Sequence, residues 1–187
     1  MATARQQLLW TAIELDGQEW TLIGSERGLC RVIFPHESLE HFRGWTDKVA
    51  PGARLQQDEG AFERMGGVPA KLRAYFAGEA VSFADVPLDL IGTDFQRAVW
   101  QALGEVPYGQ TRTYGDIARA VGRPQAVRAV GMANGANPVP VLLPCHRIIG
   151  ADRKLTGFRG GLAMKRRLLE LERIEGVVDG GHARFEF

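Results

Sequence analysis

The chain opens on three short runs in which β-branched and aromatic residues dominate: LLWTAIEL over 8–15, EWTLIGS over 19–25 and LCRVIF over 29–34. Runs of this length and makeup, bounded by turn residues, predict strands. Asp16-Gly17 suits a two-residue hairpin, and Glu26-Arg27-Gly28 supplies the next turn. Apolar positions then shift to helical spacing. Residues 36–44 and 54–65 predict short helices, and PAKLRAYFAGE a firmer one, with Leu72, Tyr75 and Phe76 on one face and Gly78 near its end. FADVPLDLIG is a connector with one extended piece.

At Thr93 the texture changes. TDFQ has capping-box spacing, Thr93 to Gln96, and Phe95, Ala98, Val99, Ala102 and Leu103 follow at helical period. After a turn at EVPYGQ, Thr113 caps a second helix with Tyr114, Ile117, Ala118 and Val121 on its apolar face, and Gly122 ends it. Pro124 opens a third, QAVRAVGMANG. Helix, glycine turn, helix is the helix-turn-helix pattern. In ANPVPVLLPC, Pro138, Pro140 and Pro144 each remove a backbone donor, so the segment is rigid and extended but no central strand. The last helix is GLAMKRRLLELERI, with Leu162, Leu168, Leu169 and Leu171 inward and Lys165, Arg166 and Arg167 elsewhere. The pattern predicts an α+β fold: a strand-rich N-terminal domain over 1–85, a linker over 86–92, a mostly helical domain over 93–175 with a helix-turn-helix and a cysteine loop, and a tail over 176–187.

Charge narrows the partners. With 23 basic and 22 acidic residues the net charge is +1, which argues against global electrostatic capture of nucleic acid and leaves a local basic face open. Cys30 and Cys145 lie far apart in the chain, and two cysteines alone make neither a disulfide framework nor a zinc spacing. A reduced, cytoplasmic setting is expected. No charged-then-apolar leader is visible at the start, and no apolar stretch nears membrane-span length, so no membrane is expected.

Two segments carry candidate chemistry. In the second helix of the helix-turn-helix, Ala126, Ala129, Gly131, Ala133 and Gly135 leave little bulk around Arg128. Close helix packing explains this, and so does a slim helix made to enter a DNA groove with one long cation to insert. At Pro144-Cys145-His146-Arg147 the most nucleophilic side chain of the chain stands beside a base. In an extended segment neighbouring side chains point to opposite faces, so a Cys–His contact requires a bridging water or a turn after Pro144. Cys30, in a strand, is the inert buried kind.

These segments together carry a resemblance. FQRAVWQAL, VPYGQTRTYGDIARAVG, RAVGMANGANPVPVLLPCHRIIG and LTGFRGGLAMKRRLLELE resemble the O6-alkylguanine-DNA alkyltransferases, DNA repair proteins that take the alkyl group onto themselves. The resemblance runs from about Phe95 to Glu172; the N-terminal domain is similar only in size and strand-rich style. It implies stoichiometric, irreversible transfer from O6 of guanine, and also O4 of thymine, in duplex DNA to Cys145 after base flipping. His146 is then the base, acting through a water, and Glu172 orients it. Asn137 fixes the segment before the cysteine. Tyr114 helps rotate the nucleotide and donates a proton to the departing guanine. Arg128 fills the gap in the stack, and Thr113, Ala126, Ala129 and Gly131 face DNA around it. Pro140, Ile148, Phe158 and Arg159 shape the pocket. The implied partner is double-stranded DNA containing O6-alkylguanine, bound by a monomer, with cooperativity along DNA left open. Two departures stand out: Phe158 where many relatives carry Tyr, and Arg159 at a position often small or polar. The metal-ligand set of some relatives is missing, so no zinc is expected, and a stable thioether product needs no cofactor.

Three other functions compete. A non-catalytic damage sensor of the alkyltransferase-like type replaces the reactive cysteine, which is present here. A helix-turn-helix regulator with Cys145 as a switch would add a dimerisation helix or ligand domain. A cysteine hydrolase would turn over many times.

Overall fold

Asp16 and Gly17 both take positive φ, 53° and 71°, and fold β1 (Gln7–Leu15) back on β2 (Gln18–Ser25), with Leu15 paired to Gln18. Positive φ at both central residues gives the turn whose twist matches the strands. β3 (Gly28–Ile33) continues the antiparallel sheet, with a register shift at Ile23/Gly24. The computed structural model describes residues 7–37 and 39–179, and the chain divides into two units between Ile91 and Gly92.

In the first unit the sheet order is β3-β2-β1-β4. Helix α1 spans Leu39–Val49, later than the expected 36–44. β4 (Arg54–Gln57) pairs in parallel with β1, where the sequence suggested helix over 54–65. All four of its residues are exposed, so this edge strand has no apolar alternation to betray it. Helix α2 (Glu59–Arg64) begins only at the Asp58 cap, which accepts from Ala61 N–H at 2.9 Å. Helix α3 spans Val68–Phe76 and buries Leu72, Tyr75 and Phe76, as its spacing predicts. One core cluster gathers Leu8, Ile23, Cys30, Ile33 and Phe42.

Residues 86–92, expected as a linker, are in part bonded to this sheet. Leu29 N–H donates to Pro87 O at 2.8 Å and Asp89 N–H to Leu29 O at 2.9 Å. Gly28 makes this possible, since a Cβ there would lie 2.3 Å from Pro87 O. Asp89 is buried and accepts from Ser25 Oγ at 2.6 Å, and Cys30 Sγ lies 3.8 Å from the same carboxylate. Cys30 thus has a polar neighbour that the strand pattern gave no reason to expect.

The second unit begins with α4 (Asp94–Gly104), whose capping box on Thr93 and Gln96 forms both bonds. β5 (Arg112–Thr113) leads into α5 (Tyr114–Ala120), closed by Gly122 at φ 70°. Gly122 N–H bonds Arg119 O at 3.0 Å and Arg123 N–H bonds Ala118 O at 2.8 Å, a Schellman end. α6 spans Val127–Gly135 and starts three residues after Pro124, because 123–126 form a turn closed by Ala126 N–H on Arg123 O at 2.8 Å. Trp100 on α4 donates Nε1–H to Ala133 O on α6 at 2.7 Å, joining the two helices through the core. Residues 138–144 form turns rather than the extended piece expected, and Cys145–Arg147 is one turn of 3₁₀ helix. β6 (Ile148–Ile149) pairs in parallel with β5, and α7 spans Gly161–Leu171. The expected tail is structured at its start: β8 (Val178–Asp179) pairs with β7 (Lys154–Leu155), and residues 180–187 lie outside the described residues. Strands followed by helices make the fold α+β. No helix among the described residues is long and apolar enough to cross a membrane.

Candidate active site

A turn follows Pro144, one of the two routes the sequence left open for bringing Cys145 and His146 together. Three residues per turn send the side chains of Cys145, His146 and Arg147 in three directions. All three are buried: Cys145 is 4% exposed, His146 0% and Arg147 8%. The last two meet Glu172, the C-cap of α7, itself 3% exposed. His146 Nε2 lies 2.7 Å from Glu172 Oε1. Arg147 donates Nε–H to Oε2 at 2.8 Å and Nη2–H to Oε1 at 2.9 Å, a two-pronged fork, and Nη1–H to Val106 O at 2.5 Å. Gly109 N–H adds a bond to Oε2 at 3.1 Å. A buried carboxylate with this many donors is fixed in place, and it fixes the imidazole. With Nε2 toward the carboxylate, Nδ1 is the nitrogen left to take a proton. Burial lowers the pKa of His146, and the Glu172 contact acts against that, so the imidazole is held neutral with a nitrogen able to accept a proton.

Arg147 has no role in the sequence reading, yet a guanidinium inside the apolar run VLLPCHRII is a signal in its own right, since an arginine is rarely buried unless paired. The leucine pattern puts Lys165 off the inner face of the last helix, and the structure reverses this. It is 0% exposed, whereas Leu162, expected inward, is 38% exposed. The buried stripe of α7 is Lys165, Leu168, Leu169 and Glu172, spaced i, i+3, i+4, i+7. Leucine content pointed to a different face from the one the helix turns inward. Lys165 Nζ donates to Ile148 O at 2.6 Å and to Thr156 O at 3.1 Å, and burial lowers its pKa to about 8.

Asn137, 1% exposed, spans the cysteine loop: its Nδ2 donates to Leu143 O at 2.7 Å and its Oδ1 accepts from Val139 N–H at 3.0 Å. Within that loop Val141 holds φ at 73°, a conformation that costs a β-branched residue roughly 1–3 kcal/mol and persists only when its surroundings over-determine it. Pro140 is buried in the same loop. Burial raises the Cys145 thiol pKa; the Asn137 side chain and the Arg159 and Lys165 charges pull it down. Arg159 Nη2–H also bonds Asn137 O at 3.2 Å. Phe158 is 8% exposed and Ile148 fully buried. Tyr114, at the start of α5, accepts at its hydroxyl from Thr156 Oγ1 at 2.9 Å. Its pKa is raised by burial, so the phenol keeps its proton.

The other helix-turn-helix residues are less buried than this set. Thr113 is the N-cap of α5, accepting from Asp116 N–H at 3.1 Å. Ala126 caps α6 with no side-chain hydrogen bond, and Arg128 and Ala129 are exposed. Gly131 lies against Tyr114, whose ring would be 3.9 Å from a Cβ there. The exposed face of α6 is less slim than its small residues suggest: Val127 is 43% exposed and Met132, one turn after Arg128, is 64% exposed. No group of three or more His, Cys, Asp or Glu that could hold a metal ion occurs among the described residues.

Comparison with known proteins covers both units. Residues 94–174 match the DNA-binding domain of 6-O-methylguanine DNA methyltransferase, and residues 16–90 its ribonuclease-like domain. The chain is 57% identical over 122 residues to the methylated-DNA–protein-cysteine methyltransferase of Mycobacterium tuberculosis strain H37Rv, covering 65% of this chain and 72% of that one. It is 40% identical over 173 residues to the inducible methylated-DNA–protein-cysteine methyltransferase of Bacillus subtilis, covering 92% and 94%. The crystal structure of the M. tuberculosis O6-methylguanine methyltransferase superposes with a TM-score of 0.75 at 45% identity, covering 89% of this chain and 93% of that one. That of M. tuberculosis OGT in complex with DNA gives 0.73 at 45% identity, covering 88% and 92%. The chain therefore belongs to the 6-O-methylguanine DNA methyltransferase family, whose work is direct-reversal DNA repair by transfer of an alkyl group from DNA to a cysteine of the protein.

Proposed function

We propose that Cys145 is the acceptor cysteine and that the buried His146–Glu172 pair activates it. The observation that carries this reading is the 2.7 Å contact between His146 Nε2 and Glu172, which leaves Nδ1 as the proton acceptor one residue from the thiol. The thiol proton passes through a water to His146, and Glu172 stabilises the imidazolium. Sulfur attacks the alkyl carbon, the bond to guanine O6 breaks, and its electron pair leaves with the base. Guanine is a poor leaving group as an anion, so Tyr114, a protonated phenol, donates to it. Asn137 holds the cysteine loop, while Pro140, Ile148, Phe158 and Arg159 line the space for the purine. A thioether has no electrophilic carbonyl for water to attack, so each molecule reacts once.

The target carbon is inside the duplex, and the nucleotide must swing out at a cost of a few kcal/mol. Arg128, exposed on α6, fills the gap, and Thr113, Ala126, Ala129 and Gly131 meet the DNA around it. The partner is duplex DNA carrying O6-alkylguanine, with O4-alkylthymine as a further substrate, met by a monomer in the cytoplasm; cooperative binding along DNA fits the same mode.

The test is a mass spectrum after incubation with an excess of O6-methylguanine duplex. One added methyl per protein, on Cys145, is expected. Many turnovers per protein, or a methyl elsewhere, would reject the reading. Arg128→Ala separates extrusion from chemistry: transfer from duplex should slow by about tenfold or more, as an unfilled gap raises the cost of extrusion, while transfer from free O6-benzylguanine should hardly change. Equal losses on both substrates would remove Arg128 from the wedge position.

A further inference from the structure

We propose that Thr156 is a positioning residue for the transfer, aiming the Tyr114 hydroxyl so that its proton faces the departing base; this rests on Tyr114 as the proton donor. Thr156 follows β7 and donates Oγ1–H to Tyr114 Oη at 2.9 Å. A phenol has one proton and acceptor lone pairs. Receiving a hydrogen bond occupies a lone pair and leaves the phenol's own O–H to point elsewhere. The opposite arrangement would spend the Tyr114 proton on the threonine.

The threonine is itself held. Its carbonyl accepts from Lys165 Nζ at 3.1 Å, and the same ammonium bonds Ile148 O at 2.6 Å. Lys165 comes from the buried stripe of α7, so the aim of the tyrosine is referred to the backbone just past the cysteine turn. On the other side the ring lies beside Gly131 of α6, where a Cβ would make an ordinary contact 3.9 Å from Tyr114 Cδ1. The hydrogen bond also serves the product of proton transfer. As the alkyl carbon–O6 bond breaks, the Tyr114 proton passes to guanine, and the phenolate left behind keeps its donor until water reprotonates it. Neither composition nor helical period marks this residue; only the meeting of two elements 42 positions apart does.

The experiment is single-turnover transfer from O6-methylguanine duplex by Thr156→Val, Thr156→Ser, Tyr114→Phe and the Val/Phe double variant. Valine keeps the shape and removes the donor; its rate should fall about tenfold, while serine stays within about threefold of the parent. In the Phe background the valine change should cost nothing more, because there is no hydroxyl left to aim. With free O6-benzylpurines whose leaving bases grow more acidic, the valine penalty should shrink, as less proton donation is needed. Valine at the parent rate, additive losses in the double variant, or a penalty independent of the leaving base would overturn the proposal. A Tyr114→Phe protein at the parent rate would instead remove Tyr114 as donor, a separate failure that takes this proposal with it. Binding of undamaged duplex should be unchanged in Thr156→Val and Thr156→Ser, so a loss of affinity in Thr156→Val would count as a packing role and against positioning.

Discussion

Cys145→Ser should bind methylated duplex as the parent does and transfer nothing measurable. A serine hydroxyl ionises far above any pH the protein meets, and a neutral imidazole is too weak a base to remove that proton for attack at an alkyl carbon. Cysteine differs because part of it becomes thiolate once a base or a cation is near; burial raises the Cys145 pKa, and the Asn137 side chain and the Arg159 and Lys165 charges act against that rise. The substitution puts a more polar group in a site 4% exposed, so a stability loss of about 1–3 kcal/mol is expected, too small to unfold the chain. Gel shift on a methylated oligonucleotide and intact-protein mass after incubation check the two halves. Retained binding with unchanged mass is the expected pair; stoichiometric methylation of the serine variant would mean that another residue accepts the alkyl group.

Arg147→Met should have the largest effect on stability. The side chain makes two bonds to Glu172 and one to Val106 O, all buried. Removing it leaves a carboxylate in the interior without its counter-charge, and breaking one partner of a buried pair costs about 3–5 kcal/mol. Urea unfolding measures this. Much of the loss is the stranded charge of Glu172, so Arg147→Met with Glu172→Gln should be less destabilised than the two single losses added together. Additive losses would show that the fork contributes packing alone. Transfer should slow as well, since Glu172 also holds His146.

Much of the architecture was legible because it rests on local rules. The hairpin at Asp16-Gly17, the capping box at Thr93 and the Gly122 stop need nothing beyond a few neighbouring residues, and each forms as the pattern predicts. β4 was not legible, since an exposed polar edge strand owes its existence to β1 and not to its own sequence. α6 starts later than its sequence suggests for a similar reason: Pro124 is compatible with a first helical turn, but 123–126 close as a separate turn instead.

At the candidate site the local text supplied the reactive residue types, their order along the chain and the need for either a bridging water or a turn after Pro144. It could not supply Arg147, Lys165 or Thr156 as partners. Their hydrogen bonds join the cysteine turn to Val106 and Glu172, Lys165 to the backbone of Ile148 and Thr156, and Thr156 to the tyrosine of α5. Strands, caps and the cysteine–histidine order follow from interactions within a few residues, and so the chain alone determines them. Which charges are buried, and which carboxylate, cation or hydroxyl each one meets, depends on segments far apart in the chain folding against one another, and that only the tertiary structure decides.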